Sequence, residues 1–137
     1  MPTKNHDKVK VEYSIFGIED DEINPLVPWI HIELPRYGFR TGLGGAVIVS
    51  GIQEHDAHVE LMHEPPGDYD AEWEFLGEQE YQTTSGEVRA WTLLSGPTDV
   101  KITLNSRSRY SMHVYRRKMV DSAGTPGEKY NIHFCES

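Results

Sequence analysis

Short apolar segments separated by glycine and proline limit what this chain can fold into. In the stretch 44–66, the near-continuous apolar segment Ala46 to Val49 is followed by the alternating segment Ala57 to His63. A continuous apolar run of this length indicates a strand buried on both faces, whereas alternation indicates a strand with one wet face. Pro65 and Pro66 then end the pattern, because proline cannot sit inside a hydrogen-bonded ladder.

Similar period-two segments recur along the chain, and no segment shows helical periodicity over more than one turn. This pattern predicts an all-β chain, a single-domain antiparallel β-sandwich of about eight or nine strands over residues 1–137. The first strand is predicted over Val9 to Ile15. The acidic residues Glu19 to Glu22 and the glycine-rich stretch Arg36 to Gly45 are predicted to be loops. A β-bulge is predicted at Gly77, where the alternation slips.

Further predictions follow from the same alternation. A strand is expected from Ile30 to Leu34, and the sequence Thr84 to Glu87 has the composition of a hairpin turn. The apolar faces of all these segments define the expected core. Its predicted members are Val47, Val49, Val59, Leu61, Trp73, Val88, Ala90, Ile102, Met112, Val114, Ile132 and Phe134.

Cysteine usage and hydropathy bear on the compartment. The chain of 137 residues contains one cysteine, Cys135, so no internal disulfide can form. Its N-terminal stretch lacks the apolar run of a signal peptide, and we therefore expect a cytoplasmic protein. No apolar segment approaches the roughly 20 residues of a membrane span, so we expect no membrane association.

The distribution of charge is more informative than the net charge of -9. Between Arg40 and Arg89 there is no Lys or Arg, yet this stretch carries half of the chain's 22 carboxylates. From Arg89 onward, basic residues outnumber acidic ones. The acidic stretch would repel nucleic acid and attract a basic protein, although an acidic surface can also serve solubility alone.

The leading functional hypothesis is therefore a non-enzymatic acidic protein that binds a basic partner, such as a nuclease or toxin. Steered association of this kind depends on exposed charge. A homodimer through unprotected strand edges stays open as well. The residues predicted to bind the partner are Glu54, Asp56, Glu60, Asp68, Asp70, Glu72 and Glu74.

Catalytic and metal chemistry find less support in the sequence. His55, His58 and His63 lie close together with several carboxylates, but on an extended strand His58 and His63 point to opposite faces. Cys135 and His133 share the outward face of the last predicted strand, without a group that would orient them as a catalytic pair. No nucleotide or phosphate fingerprint is present, and we expect no cofactor and no bound metal. A metal-dependent enzyme is the third hypothesis, and it requires the three histidines to converge.

The second hypothesis is a binding protein for small ligands or carbohydrates. Trp29, Trp73 and Trp91 could provide a platform on which a sugar ring stacks, if one of them is exposed. Tryptophans of this kind otherwise fill the core.

The order of several segments resembles the competence protein J family and related small bacterial proteins. The resemblance covers most of the chain and rests on order and spacing. It implies a small cytoplasmic β-sandwich, and for the family's named member an inhibitory partner of a nuclease. The residues that carry it are Tyr13 to Phe16, Gly45 to Val49, His58 to Leu61, Glu64 to Pro66 before Trp73 and Glu74, Ser85 and Gly86, and Tyr110 to Val114.

Overall fold

A computed structural model describes residues 4–20, 32–42, 44–83, 85–94, 96–104 and 109–136. These residues form ten strands and no helix. The strands are β1 (His6–Val11), β2 (Ile15–Asp20), β3 (Phe39–Gly42), β4 (Gly45–Val49), β5 (His55–Met62), β6 (Trp73–Gln82), β7 (Glu87–Thr92), β8 (Gly96–Thr103), β9 (Arg109–Val120) and β10 (Pro126–Glu136).

The strands make two five-stranded sheets. The first has the order β1-β5-β10-β9-β6 and the second the order β3-β4-β2-β7-β8. All neighbouring strands are antiparallel except β5 and β10, which run parallel. The predicted all-β class is therefore confirmed for the described residues, and the strand number is ten rather than eight or nine.

The inward side chains of both sheets share one apolar cluster. Phe16 of the second sheet meets Tyr130 of the first edge to face, with ring centroids 5.0 Å apart. Nine of the twelve predicted core residues are buried. Val49, Trp73 and Ile102 are half-buried instead.

The first strand is shorter at its C-terminal end than the sequence predicts. β1 ends at Val11, and Tyr13 and Ser14 form a turn with φ angles of 54° and 67° before β2 begins. Alternation continues through this turn in the sequence, so the period alone does not reveal it. The chain therefore leaves the first sheet here and enters the second.

The prediction of a loop at Glu19 to Glu22 is wrong for its first two residues. Glu19 and Asp20 belong to β2, and both are completely buried. Asp20 accepts hydrogen bonds from the Tyr81 hydroxyl at 3.2 Å and from the Ser85 amide at 3.4 Å. Acidic residues are rarely buried, so the sequence pattern assigned them to a loop.

Three other local predictions change in the structure. The expected loop Arg36 to Gly45 contains β3, which pairs with β4. In the expected strand Ile30 to Leu34, the first two residues lie outside the described ranges, and Ile32 to Leu34 are not in a strand. The turn around Ser85 joins β6 and β7, which lie in different sheets and therefore do not form a hairpin.

The β-bulge predicted at Gly77 is confirmed. The register between β6 and β9 shifts between Phe75 and Gly77, and Gly77 adopts a φ of 136°. Such a backbone conformation is accessible mainly to glycine. The shift returns Tyr81 to the core, where it is completely buried.

Candidate partner-binding site

The predicted site residues on β5 lie on the outer face of the first sheet. Alternation places Ala57, Val59 and Leu61 in the core, so Asp56 and Glu60 face away from it. The register with β1 sets Lys10 beside Asp56 and His6 beside Glu60. Basic and acidic residues therefore alternate across this edge of the sheet.

The predicted site residues of β6 and of the turn before it are paired with β9. Glu72 Oε2 lies 2.6 Å from Arg117 Nη2, and Glu74 Oε1 lies 2.7 Å from Arg116 Nη2. The acidic stretch is free of Lys and Arg in sequence, but strand pairing brings cations from β9 to it. Glu72 and Glu74 are thus partly neutralised.

Asp68 and Asp70 lie on the segment that connects β5 and β6. Between them, Tyr69 stacks on Tyr115 with ring centroids 3.9 Å apart, and its hydroxyl bonds to His133. The tyrosine thereby fixes the segment to the outer face of the sheet, while both aspartates are exposed. Asp70 also accepts a hydrogen bond from the Glu72 amide at 2.9 Å.

A buried polar cluster occupies the end of the first sheet where β9 and β10 form a hairpin. Glu128 is its centre, with only 2% of its side chain exposed. Its carboxylate accepts hydrogen bonds from the Ser50 hydroxyl and from Tyr130 Oη, the latter at 2.7 Å. Arg116 Nη1 lies 3.6 Å from the same carboxylate, and His55 Nε2 lies 3.7 Å from it.

The surroundings of the cluster shift its proton equilibria. Burial, followed by the hydrogen bond to Glu128, raises the pKa of Tyr130. Burial lowers the pKa of His55, although Glu128 and Asp56 oppose this effect. Both shifts favour the uncharged forms, a neutral imidazole and a protonated phenol that donates a hydrogen bond.

The cluster connects two groups of predicted site residues. Glu54 and Asp56 line a cavity together with Glu128, whereas Glu72 and Glu74 line a second cavity together with Arg116. Glu60 lies apart from both on β5. The structure therefore divides the seven predicted residues rather than gathering them into one acidic patch.

Sequence reasoning missed Ser50, Arg116, Glu128 and Tyr130 as members of a site. Glu128 offered a signal, because it shares the inward alternation of Tyr130, Ile132 and Phe134. A carboxylate on an inward position needs buried partners. Those partners come from other strands, and the local pattern does not identify them.

The three histidines considered for a metal site make separate contacts. His55 faces Glu128, His58 stacks on His6, and His63 meets Tyr110 edge to face. Within the described ranges, no group of three or more His, Cys, Asp or Glu side chains is placed to hold a metal ion.

Cys135 and His133 also have different surroundings. Burial raises the pKa of the Cys135 thiol, which donates to the Ser111 carbonyl at 3.5 Å. His133 is buried under Tyr69, and its Nδ1 lies 3.2 Å from the Glu64 carbonyl oxygen. Each side chain is engaged with a different partner.

The tryptophans differ in exposure. Trp91 is buried, and Trp29 lies outside the described residues. Trp73 is half-buried between Tyr69, 5.1 Å away by ring centroids, and the Lys129 ammonium, 5.8 Å from its ring centroid. Trp73 is therefore the described tryptophan with a partly accessible ring.

The part of the chain that the structure describes contains no helix long and apolar enough to cross a membrane.

Comparison with known proteins finds a likeness in structure but none in sequence. No protein-family model matches the chain, and no curated protein matches its sequence. Its structure is similar to the crystal structure of ComJ, inhibitor of the DNA degrading activity of NucA, from Bacillus subtilis. The TM-score is 0.63, the similarity covers 98% of this chain and 97% of ComJ, and the sequence identity is 10%. The resemblance noted from the order of the segments is therefore confirmed as a shared fold: this chain is built like ComJ over nearly its whole length.

Proposed function

We propose that this chain is a cytoplasmic, non-enzymatic β-sandwich protein that binds and inhibits a basic protein, most specifically a nuclease. The observation that carries the proposal is the likeness to ComJ over 98% of the chain, since ComJ inhibits the DNA-degrading activity of NucA. Because a fold can host several functions, the proposal also needs support from the surface of this chain itself.

Exposed carboxylates near the buried cluster provide that support. Glu54 and Asp56 are both exposed, and neither forms an ion pair within the described part of the chain. Asp68 is exposed as well. Surface charge that is not held in an ion pair accelerates encounter with a partner of opposite sign, and the net charge of -9 acts in the same direction.

The buried cluster gives these carboxylates a fixed support. Glu128 bonds to Ser50 from the end of β4 and to Tyr130 of β10, and it faces Arg116 of β9. The contacts join both sheets beside the cavity that Glu54 and Asp56 line together with Glu128. A preorganised surface loses less conformational entropy when a partner binds.

The proposal is tested by affinity capture from an extract of the source cell with the immobilised full chain. We expect a basic protein to be retained at low ionic strength and released at high ionic strength, because salt screens exposed charges over about 8 Å at physiological concentration. The eluted protein should degrade DNA, and adding the free chain should suppress that degradation.

A matched pair of variants controls for non-specific charge effects. Glu54→Gln combined with Asp56→Asn removes two charges beside the cluster, and Asp99→Asn removes an exposed charge on β8 of the other sheet. The double variant should retain less of the DNA-degrading protein than Asp99→Asn does. Equal retention by both, or an eluate without DNA-degrading activity, contradicts the proposal.

A further inference from the structure

A cavity of about 420 Å³ lies between the start of β5 and the hairpin of β9 and β10. The parallel pairing of β5 with β10 begins at His58 and Lys129, and the cavity lies mostly before this point, where the two strands are not paired with each other. Its volume falls within the roughly 300–1,000 Å³ typical of ligand pockets. The opening is therefore a consequence of the strand register.

Carboxylates and aliphatic groups line this cavity. The lining carboxylates are Glu54, Asp56, Asp121 and Glu128, of which Glu128 is paired with Arg116, and Lys8 is the single Lys or Arg among the described lining residues. Met119 and Val120 line it as well, with exposures of 43% and 68%. The cavity thus combines a negative field with an accessible apolar wall.

His55, in the wall of this cavity, is a buried polar side chain without a hydrogen-bond partner. Only 5% of its side chain is exposed, and neither ring nitrogen has a hydrogen-bond partner. The nearest carboxylate oxygen, on Glu128, is 3.7 Å from Nε2, which is too far for a hydrogen bond. A buried polar group without a partner carries a free-energy cost that a bound polar group can remove.

We propose that this cavity binds a guanidinium group, supplied by an arginine of the partner protein. The planar guanidinium has five N–H donors and can bond to more than one carboxylate at once. The aliphatic stem of arginine matches Met119 and Val120. A metal ion fits less well, because the described residues place no three ligands together. The inference rests on the proposed function only in naming the partner as the source of the arginine.

The test is a titration of the full chain with N-acetyl-arginine amide, followed by backbone amide NMR shifts. N-acetyl-citrulline amide, which has nearly the same shape without the charge, is the matched control ligand. We expect saturable shifts at residues 54–56 and 127–128 with a roughly millimolar dissociation constant, as befits a ligand of this size. Citrulline amide should produce no saturable shifts.

Variants of exposed residues then locate the binding. Glu54→Gln with Asp56→Asn should weaken binding of the arginine amide by at least about tenfold, since charge-assisted hydrogen bonds are lost. Asp99→Asn should bind it like the unmodified chain. Absence of saturable shifts, equal shifts with citrulline amide, or unchanged affinity in the double variant overturns the inference.

The source of the guanidinium is resolved by competition with the captured partner. Displacement of the arginine amide by that protein identifies a partner arginine as the ligand, and continued binding to the complex identifies a free guanidinium compound. If the amide does not bind but the chain still suppresses DNA degradation, the inference fails and the proposed function stands. If the amide binds but no DNA-degrading partner is captured, the cavity is still a guanidinium-binding site and the proposed function fails.

Discussion

Arg116 and Glu128 form an ion pair in the interior, with Nη1 3.6 Å from Oε2 and less than a tenth of either side chain exposed. They come from the adjacent strands β9 and β10. Arg116 Nη2 also donates to Glu74 at 2.7 Å, which connects the pair to the surface. A buried charge that loses its partner is strongly destabilising, so each residue depends on the other.

Replacing Arg116 with Leu should therefore lower the free energy of unfolding by about 3–5 kcal/mol, because Glu128 is left buried without a cation. The neighbouring Arg117→Leu is the matched control. Arg117 pairs with Glu72 at 2.6 Å, but 41% and 64% of the two side chains are exposed, and the loss should stay below about 1 kcal/mol. Denaturant titration of both variants measures the difference, and similar losses would refute the importance of the buried pair.

Glu19 should make stability depend on pH. It is completely buried, neither of its carboxylate oxygens has a hydrogen-bond partner, and burial followed by repulsion from Asp20 raises its pKa from 4.5 to about 8. Arg89 is its cross-strand neighbour on β7. Between pH 4.5 and about 8, Glu19 therefore holds a proton in the folded state that it releases in the unfolded state. Stability should thus be highest below the unfolded pKa and should fall as pH rises toward 8, by up to about 1.4 kcal/mol per pH unit.

The variant Glu19→Gln isolates this contribution, because glutamine has a similar shape and does not titrate. The free energy of unfolding of the variant, relative to the unmodified chain, should increase between about pH 5 and 8 and then level off. Denaturant titrations at several pH values measure it. Parallel pH profiles for the two proteins would show that Glu19 does not hold its proton in the folded state.

Period-two alternation predicted the strands whose inward positions are all apolar, as in β5 with Ala57, Val59 and Leu61. It failed at Glu19 and Asp20, because the partners that allow Asp20 to be buried, Tyr81 and Ser85, are more than 60 residues away in sequence.

The candidate site was predictable only in part, for a related reason. The sequence identified the acidic residues one by one, but it did not show that β1 and β9 bring cations beside them. Which cation faces which carboxylate depends on strand register, as with Lys10 and Asp56 or Arg117 and Glu72. Register is set by the whole sheet and not by any local segment.

The register of β5 is tested by two adjacent substitutions. Leu61 is completely buried, and Leu61→Ala should cost roughly 2–5 kcal/mol through lost burial and the cavity that remains. Glu60 faces outward, and Glu60→Ala should cost less than about 0.5 kcal/mol. Denaturant titration compares the free energies of unfolding of the two variants. Equal losses would show that the register assigned to β5 is wrong.

The bulge in β6 gives a further test. Gly77 has a φ of 136°, so Gly77→Ala should strain the backbone and cost roughly 1–3 kcal/mol, even though an added Cβ would lie 3.6 Å from the nearest atom, Phe39 Cε1. Gly67→Ala is the control, since no atom lies within 4 Å of an added Cβ there. It should change stability by less than about 0.5 kcal/mol. Thermal unfolding measures both variants. An unfolding temperature that is unchanged in both would argue against the bulge.

The most direct test of the central claim is a titration of the captured DNA-degrading protein with the free chain, with DNA degradation as the readout. We expect suppression that saturates as the chain becomes stoichiometric with its partner, that weakens as salt is raised, and that is impaired by Glu54→Gln with Asp56→Asn but not by Asp99→Asn. DNA degradation that continues unchanged at low salt with the chain in excess would contradict it.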